Sequence, residues 1–250
     1  MMIESRLEDQ IWKVTLNRPE KHNAFDAGMI ASLSSALQSM PAEARLVLIT
    51  GNGKSFCAGA DISYMRAQAS YSEEQNRDDA KKLSAMFEFI YELPVPTVTY
   101  AQGNIFGGGL GILAACDIAL AHESAKFCFS EVKMGIIPAV ISPYVLRKTS
   151  NAFAKRYFLS AEVFDAQVAL RSGLIAEVVP TEKAEETVQN LCKSLVSAGQ
   201  QAQRSAKRLM HAYENFEPMS RDQLIHELAK LRSTEDAQAR MKNFLEKTTN

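Results

Sequence analysis

The sequence FCAGADI at residues 56–62 and the sequence NIFGGGLG at residues 104–111 decide the fold and the chemistry expected of this chain. Both segments are rich in glycine and alanine, whose small side chains let a ligand approach the backbone and leave N–H groups free to point at it. A single carboxylate, Glu131, follows within the sequence FSEV at residues 129–132. Two N–H groups directed at one carbonyl oxygen form an oxyanion hole, and a carboxylate beside that oxygen can move protons on the adjacent carbons.

The glycines between residues 107 and 111 require an explanation, because each glycine inside a helix costs up to about 1 kcal/mol relative to alanine. One explanation is close packing of this helix against a neighbouring element. The other is a helix N-terminus with free N–H groups and a positive dipole end, which suits a developing oxyanion. Glu131 taken alone would be explained as a surface or helix-capping carboxylate. Because both small-residue segments and Glu131 occur in this order, we favour the functional interpretation of all three.

Length, composition and charge restrict the class of protein. The chain has 250 residues, 46% of them hydrophobic, which is enough for one large domain with a sizeable core. Its formal net charge of −1 gives no electrostatic reason to expect a nucleic-acid partner. The apolar stretches fall short of the roughly 18 residues that a membrane span needs, and the N-terminal residues lack the pattern of a secretory signal. We therefore expect neither a nucleic-acid partner nor a membrane.

The cysteines, histidines and glycines argue against a metal centre and a redox cofactor. The four cysteines form no Cys-x-x-Cys pair, and the four histidines are dispersed. Scattered cysteines suit a reducing compartment, so we expect a cytoplasmic protein. The sequence GNGKS at residues 51–55 is not the end of a P-loop, because Leu48 stands where the first glycine belongs. The glycines at 107–111 lack the Gly-x-Gly-x-x-Gly spacing of a dinucleotide site, because Ile112 occupies the last position.

Hydrophobic periodicity divides the chain into an α/β part and a helical part. Strands are predicted at about residues 11–16, 46–50, 97–102, 117–121 and 175–179, and helices at about residues 26–40, 72–92, 107–116, 151–159 and 165–171. Past residue 181 the pattern is almost wholly helical and carries many charges. We therefore predict a mixed α/β core at residues 1–195 and a helical C-terminal region at residues 196–250. That region would serve either as a cap on the core or as a subunit interface.

The ordered set of motifs resembles the crotonase, or enoyl-CoA hydratase/isomerase, superfamily over nearly the whole chain. The motifs are LNRPEKHNAF at residues 16–25, FCAGADI at 56–62, GGG at 107–109, ACDI at 115–118 and SEVKMGIIP at 130–138. The resemblance implies an α/β spiral of repeated ββα units with a helical C-terminal region used for trimerisation, and hence a homotrimer or a dimer of trimers. It also implies acyl-CoA thioester substrates and no metal or other cofactor, because coenzyme A is part of the substrate.

Matching the family's motifs residue by residue assigns a candidate site. The resemblance implies that the backbone N–H groups of Ala58 and Gly108 form the oxyanion hole. Glu131 falls on one of the family's two catalytic glutamate positions, and the other position falls on Gly111. The remaining residues are implied to bind the coenzyme A part or the acyl part of the substrate: Lys21, His22, Ala24, Ala60, Asp61, Ile62, Phe106 and Pro138.

Gly111 departs from the usual hydratase pattern. Residues 108 and 111 share a helical face, so a side chain at 111 would point near the oxyanion hole. A single carboxylate suffices to take a proton from C2 and return it to C4, which is double-bond isomerisation. Water addition across C2=C3 usually divides water activation and protonation between two carboxylates. One carboxylate can do both if it faces the correct side of the substrate, with help from a substrate carboxylate or from a water held in the space at Gly111.

A narrower resemblance concerns bacterial methylglutaconyl-CoA and carboxygeranoyl-CoA hydratases of leucine or acyclic terpenoid breakdown, and it rests on residues 106–111, 138–145, 154–159 and 164–166. The leading hypothesis is accordingly an enoyl-CoA hydratase for a branched or carboxylated substrate such as methylglutaconyl-CoA. The alternative is a Δ3–Δ2 enoyl-CoA isomerase with a single glutamate. A third hypothesis, motivated by Gly111 alone, is a non-catalytic acyl-CoA binder.

Overall fold

The computed structural model describes residues 1–215, 217 and 219–248, which form a mixed α/β fold. The strands are β1 (Ile3–Glu8), β2 (Ile11–Leu16), β3 (Leu46–Gly51), β4 (Thr97–Ala101), β5 (Asn104–Phe106), β6 (Ile118–His122), β7 (Lys126–Cys128), β8 (Phe164–Asp165) and β9 (Glu177–Val179). The helices are α1 (Ala27–Gln38), α2 (Ile62–Gln68), α3 (Glu73–Glu92), α4 (Gly108–Ala115), α5 (Ser142–Lys148), α6 (Asn151–Ser160), α7 (Ala166–Ser172), α8 (Ala184–Ser197), α9 (Gln200–Glu214), α10 (Arg221–Arg232) and α11 (Glu235–Thr248). Short 3-10 helices cover Pro19–Lys21, Glu131–Met134 and Thr181–Lys183.

The strands form two sheets. The larger sheet has the order β1-β2-β3-β4-β6-β9, in which β1 and β2 form an antiparallel hairpin and the other neighbours are parallel. The smaller sheet has the order β5-β7-β8. The chain passes from β4 to β5 and α4, and from β6 to β7 and a 3-10 helix, so each unit adds one strand to each sheet. This winding agrees with the predicted spiral of ββα units.

Two side-chain caps and one left-handed glycine fix helix boundaries that the sequence predicts. Asp26 accepts a hydrogen bond from the N–H of Met29 at 2.8 Å and starts α1. Ser72 and Gln75 form a reciprocal capping box at the start of α3. Gly173, at a φ of 83°, ends α7 in the left-handed conformation that glycine adopts without strain. The helix starts predicted at Asp26 and Ser72 and the stop at Gly173 are confirmed.

An apolar layer and a buried ion pair are among the contacts that tie the C-terminal helices to the core. Cys192 of α8 lies in a buried cluster with Ile11, Leu46, Leu48 and Val98 on the larger sheet. Lys207 of α9 is buried and donates to the carboxylate of Asp117 at 2.8 Å. The predicted boundary at residue 195 falls inside α8. The division into two domains stays a prediction. The last two residues of the predicted C-terminal region, 249 and 250, lie outside the described residues. Within the described ranges, none of the helices combines the length and apolar character that a membrane crossing requires.

A buried asparagine holds the loop before α1. Asn23 is fully buried and left-handed, with a φ of 53°. Its side-chain oxygen accepts from the N–H of Arg18 at 2.8 Å, and its amide donates to the carbonyl oxygens of Asn52 and Ser55 at 2.9 Å each. Asparagine tolerates left-handed backbone better than most residues. Asn23 therefore joins the loop at 18–24 to the residues that lead into the first small-residue segment.

Replacing Asn23 tests this joint. Asn23→Ala removes three hydrogen bonds and leaves alanine in a left-handed conformation. We expect the free energy of unfolding to fall by about 3 kcal/mol or more, since each buried bond contributes about 1 kcal/mol and the conformation costs alanine about 1–2 kcal/mol. Urea unfolding followed by circular dichroism measures the change. Asn190→Ala, at an exposed position of α8, is the matched control, and a loss below about 1 kcal/mol for Asn23→Ala contradicts the assigned role.

Candidate active site

Two residues whose backbone N–H groups have no recorded acceptor among the described residues line a common cavity of about 700 Å³. One is Gly108, the first residue of α4, where a helical N–H has no partner within its own helix. The other is Ala60, at the end of the first small-residue segment. In the part of the chain that the structure describes, no acceptor pairs with either N–H group. Ala60, Gly108 and Glu131 all line the cavity, so two free donors and one carboxylate share a single space.

The assignment of Ala58 to the oxyanion hole is wrong. Its N–H donates to the carbonyl oxygen of His22 at 3.0 Å and is not available to a substrate. Gly59, at a φ of 98°, turns the backbone after Ala58. Phe25 then pairs with Gly59 and Asp61 through main-chain bonds of 2.7 Å, which leaves the N–H of Ala60 between them unpaired. Ala60, which the sequence assigned only to substrate binding, therefore replaces Ala58 as the candidate donor.

Glu131 lies beside the oxyanion hole in a desolvated position. It begins a 3-10 helix, and its Oε1 atom is 3.5 Å from the place where a Cβ on Gly107 would stand. Its Oε2 atom is buried and has no hydrogen-bond partner among the described residues. Burial raises the pKa of the Glu131 carboxyl, and the hydrogen bond from its own backbone N–H opposes this only in part. A carboxyl with an unengaged oxygen and a raised pKa is suited to hold and release a proton.

Gly111 has no space beside it. A Cβ at Gly111 would lie 2.5 Å from Cζ of Phe87 and 2.6 Å from Cγ2 of Ile141. Phe87 comes from α3 and is fully buried, and Ile141 lines the cavity. The hypothesis of a water held in the space at Gly111 is therefore wrong, because two hydrocarbon side chains fill it. The second glutamate position is a packed part of the core.

A groove adjoins the cavity and collects most of the residues predicted to bind the coenzyme A part. The groove encloses about 250 Å³, and its lining includes Lys21, His22, Ala24, Ala58, Ala60, Asp61 and Ile62. Ala60 belongs to both linings. If the carbonyl oxygen of an acyl-CoA thioester accepts from the N–H of Ala60, one end of the thioester would lie in the cavity and the other end in the groove. The sequence-predicted residues are brought together here, although no ligand tests their roles.

Asp61 serves the fold as well as the groove. Its carboxylate accepts from the N–H groups of Ser63 and Tyr64 at 2.8 and 3.3 Å and caps α2. It also pairs with Arg18 at 3.2 Å. Burial alone would raise the pKa of Asp61, but the two N–H bonds and Arg18 outweigh burial and lower it.

Phe106 and Pro138 lie in different surroundings. Pro138 lines the 700 Å³ cavity together with Glu131. The Cβ of Phe106 lies close to Gly59, and its backbone N–H donates to the carbonyl oxygen of Cys57 at 2.9 Å. Phe106 lines neither the cavity nor the groove. Its observed contribution is to join the two small-residue segments.

The sequence reasoning missed a polar end of the cavity. Asp79 on α3 accepts from Gln68 at 2.7 Å and from the hydroxyl of Tyr64, and all three line the cavity. The spacing of Tyr64 and Gln68 by four residues on one helix face was the available signal. In the described ranges the cavity lining contains no lysine or arginine. Arg147, which lies outside it, stacks over the ring of Tyr91 at 4.8 Å.

Comparison with known proteins identifies the family. A sequence profile described as Enoyl-CoA hydratase/isomerase matches residues 6–250. The chain belongs to this family. An enoyl-CoA hydratase of Alternaria alternata, AFT6-1, is 32% identical over 81% of this chain and 67% of its own length. The structure of an enoyl-CoA hydratase from Shewanella pealeana is 37% identical and superposes with a TM-score of 0.92 over 99% of this chain and 94% of its own.

A third similar protein is more distant. The structure of an enoyl-CoA hydratase from Bacillus anthracis is 27% identical, with a TM-score of 0.89 over 99% of this chain and 97% of its own. Because these structures cover nearly all of the chain, the crotonase fold and membership of the hydratase/isomerase family of enzymes are shown for this protein.

A double-mutant cycle tests the packing at Gly111. Gly111→Ala places a methyl group against Phe87 and Ile141, and we expect it to lower the free energy of unfolding by about 1–3 kcal/mol, as overpacking does. In a Phe87→Ala background the same change should cost less than it does alone, because the contact is gone. Urea unfolding of the four proteins gives the coupling. Equal costs of Gly111→Ala in both backgrounds would show that Phe87 does not fill this space.

The pH dependence of stability tests the surroundings of Glu131. Its folded-state pKa lies above the ordinary value of 4.5, so folding favours the protonated carboxyl. This contribution is complete below 4.5 and is lost as pH rises through the folded-state pKa. The stability of the wild type relative to Glu131→Gln should thus be level at low pH and fall as pH rises above 4.5.

Urea unfolding at a series of pH values measures this difference. Glu186→Gln, at an exposed position of α8, controls for the loss of one negative charge. A wild type that gains stability relative to Glu131→Gln as pH rises would place Glu131 in a solvated or ion-paired environment.

Proposed function

We propose that this protein is an enoyl-CoA hydratase that adds water to a branched enoyl-CoA thioester, with Glu131 as its single acid–base group. The observation that carries the proposal is the buried Oε2 atom of Glu131, in a cavity that Ala60 and Gly108 also line; among the described residues neither Oε2 nor the N–H groups of Ala60 and Gly108 has a partner. The relatives named enoyl-CoA hydratase support hydration as the reaction. The family supports an acyl-CoA thioester as the substrate.

The proposed reaction uses both oxygens of Glu131. The N–H groups of Ala60 and Gly108 donate to the thioester carbonyl oxygen and stabilise the enolate that forms as C3 is attacked. One carboxyl oxygen of Glu131 accepts a proton from the attacking water. The other oxygen delivers its proton to C2, so one water is added and Glu131 ends as it began. Burial favours the protonated starting form. The step uses no metal or redox cofactor.

The cavity walls support a branched acyl group. Leu83, Val140 and Ile141 give the cavity an apolar lining, and its volume of about 700 Å³ exceeds the needs of a short straight chain. The narrower resemblance favours a carboxylated tail such as that of methylglutaconyl-CoA. Gln68, whose amide donates to Asp79, and Asn76 lie in the cavity lining, and Asp79 disfavours a second negative charge there. Comparing 3-methylglutaconyl-CoA with 3-methylcrotonyl-CoA, which lacks only the tail carboxylate, separates the two substrate types.

Double-bond isomerisation is the second candidate, and the packing at Gly111 favours it. Phe87 and Ile141 occupy the place of a second carboxylate, and one carboxylate is enough to move a proton from C2 to C4. We further propose a cytoplasmic homotrimer or dimer of trimers, as is typical of the resemblance. Light scattering after size exclusion measures the assembly, and a monomer would contradict that part of the proposal.

The central experiment compares the wild type with Glu131→Gln on a panel of enoyl-CoA thioesters. We expect wild-type products that have gained the mass of one water, and a fall in turnover by a factor of about 10² or more in Glu131→Gln, because the amide cannot exchange the proton. Mass spectrometry of the products gives the reaction type. Glu186→Gln is the matched control.

Each other outcome has a definite meaning. A 3-enoyl-CoA converted without a change in mass identifies an isomerase. Acyl-CoA binding by calorimetry without conversion of any thioester identifies a non-catalytic binder. Unchanged turnover in Glu131→Gln overturns the role of Glu131.

A further inference from the structure

Lys148 contacts the C-terminal end of α4, the helix whose first residue, Gly108, is the candidate oxyanion-hole donor. The ammonium group of Lys148, the last residue of α5, donates to the main-chain carbonyl oxygen of Cys116 and, at 3.4 Å, to that of Asp117. Cys116 is the C-cap of α4, whose first residue is Gly108. In the described part of the chain, no carboxylate lies within ion-pair distance of Lys148. Its polar contacts are therefore directed at the C-terminal end of α4.

The sequence of α4 makes such a contact important. The helix GGLGILAA has three glycines among its eight residues and is about 12 Å long. Each glycine lowers helix propensity, so α4 depends on tertiary contacts for its geometry. Apolar packing surrounds it, since every residue from Gly109 to Ala115 is buried. Packing and hydrogen bonds at the helix end together fix its axial position, because the C-terminal carbonyl groups have no partner within the helix.

The residue after the cap is fixed from several directions. The carboxylate of Asp117 accepts from the N–H and the hydroxyl of Thr97 at 2.7 and 2.9 Å and from Lys207 at 2.8 Å. Asp117 is thereby held on the larger sheet and on α9. Lys148 adds the contact with the main-chain carbonyls of the helix end itself. The cation also lies at the negative end of the helix dipole, where it stabilises α4.

We propose that Lys148 is a positioning residue that fixes α4 so that the N–H of Gly108 stays directed at the substrate carbonyl. This inference rests on the proposed function, because it assumes that the carbonyl oxygen of an acyl-CoA binds between Ala60 and Gly108. Lys148 acts through α4 and does not line the 700 Å³ cavity that contains Glu131. Its loss therefore weakens the polarisation of the bound carbonyl more than it weakens binding of the ligand.

The test measures the carbonyl directly. Butyryl-CoA carrying a ¹³C-labelled thioester carbonyl has no double bond to react, and difference infrared spectroscopy reports its stretching frequency when bound. Donation from two N–H groups lowers this frequency in the wild type. In Lys148→Met the lowering should shrink to about half or less, and Lys148→Arg, which retains a cation, should recover most of it. Lys155→Met, an exposed lysine of α6, is the matched control and should behave as wild type.

Turnover gives a second readout. With an enoyl-CoA substrate, kcat of Lys148→Met should fall about tenfold while KM changes less than about threefold, because the lost interaction acts in the transition state. A folded Lys148→Met protein with the wild-type carbonyl frequency and kcat overturns the inference. If Lys148→Met does not fold, Lys148→Gln, which keeps an N–H donor but loses the charge and part of the length of the side chain, takes its place, and the same losses of carbonyl shift and kcat are expected. Failure of both to fold assigns Lys148 a purely structural role and also overturns the inference.

The two proposals fail in distinguishable ways. A wild-type protein that binds butyryl-CoA without lowering its carbonyl frequency contradicts the oxyanion hole, and the inference on Lys148 falls with it. A wild type that lowers the frequency, beside a Lys148→Met variant that lowers it equally, contradicts the inference on Lys148 and leaves the proposed function standing.

Discussion

The close main-chain contact between the two small-residue segments is the constraint on which the site depends. Cys57 donates to the carbonyl oxygen of Asn104 at 3.3 Å and accepts from the N–H of Phe106 at 2.9 Å. A Cβ on Gly109 would lie only 2.7 Å from the carbonyl oxygen of Cys57, so α4 can approach this backbone only with glycine there. The approach places the N–H groups of Ala60 and Gly108 on one cavity. Main-chain geometry, rather than side-chain chemistry, thus builds the electrophilic half of the site.

Charged groups around the site are divided between structure and chemistry. Arg18 pairs with Asp26 at 2.6 Å and with Asp61 at 3.2 Å, and these two carboxylates cap α1 and α2. One cation therefore aligns the starts of two helices that contribute to the cavity wall. Glu131 is treated in the opposite way, because it is desolvated and its Oε2 is left without a partner among the described residues. The hydrogen bonds and the Arg18 partner lower the pKa of Asp61, whereas burial raises the pKa of Glu131, whose free oxygen can exchange a proton.

The sequence predicts features that depend on local rules. The caps at Asp26 and Ser72 are confirmed because a capping side chain acts within one turn of its own helix. The two small-residue segments and Glu131 do meet at one cavity. The choice of Ala58 failed because the positive φ of Gly59 decides which N–H group faces His22 and which faces the cavity. The space at Gly111 was misjudged because its occupant, Phe87, comes from another helix, and no local pattern records that contact.

The packing at Gly111 also bears on how such a site can change over generations. A glutamate at this position would need room that Phe87 of α3 and Ile141 before α5 now occupy. A second carboxylate at this position therefore requires coordinated changes at separate places in the chain. Replacing Gly111 by glutamate first would give an overpacked, less stable protein. Shortening Phe87 or Ile141 first would leave a cavity. The residue at position 111 is thus coupled to the packing of two other parts of the chain.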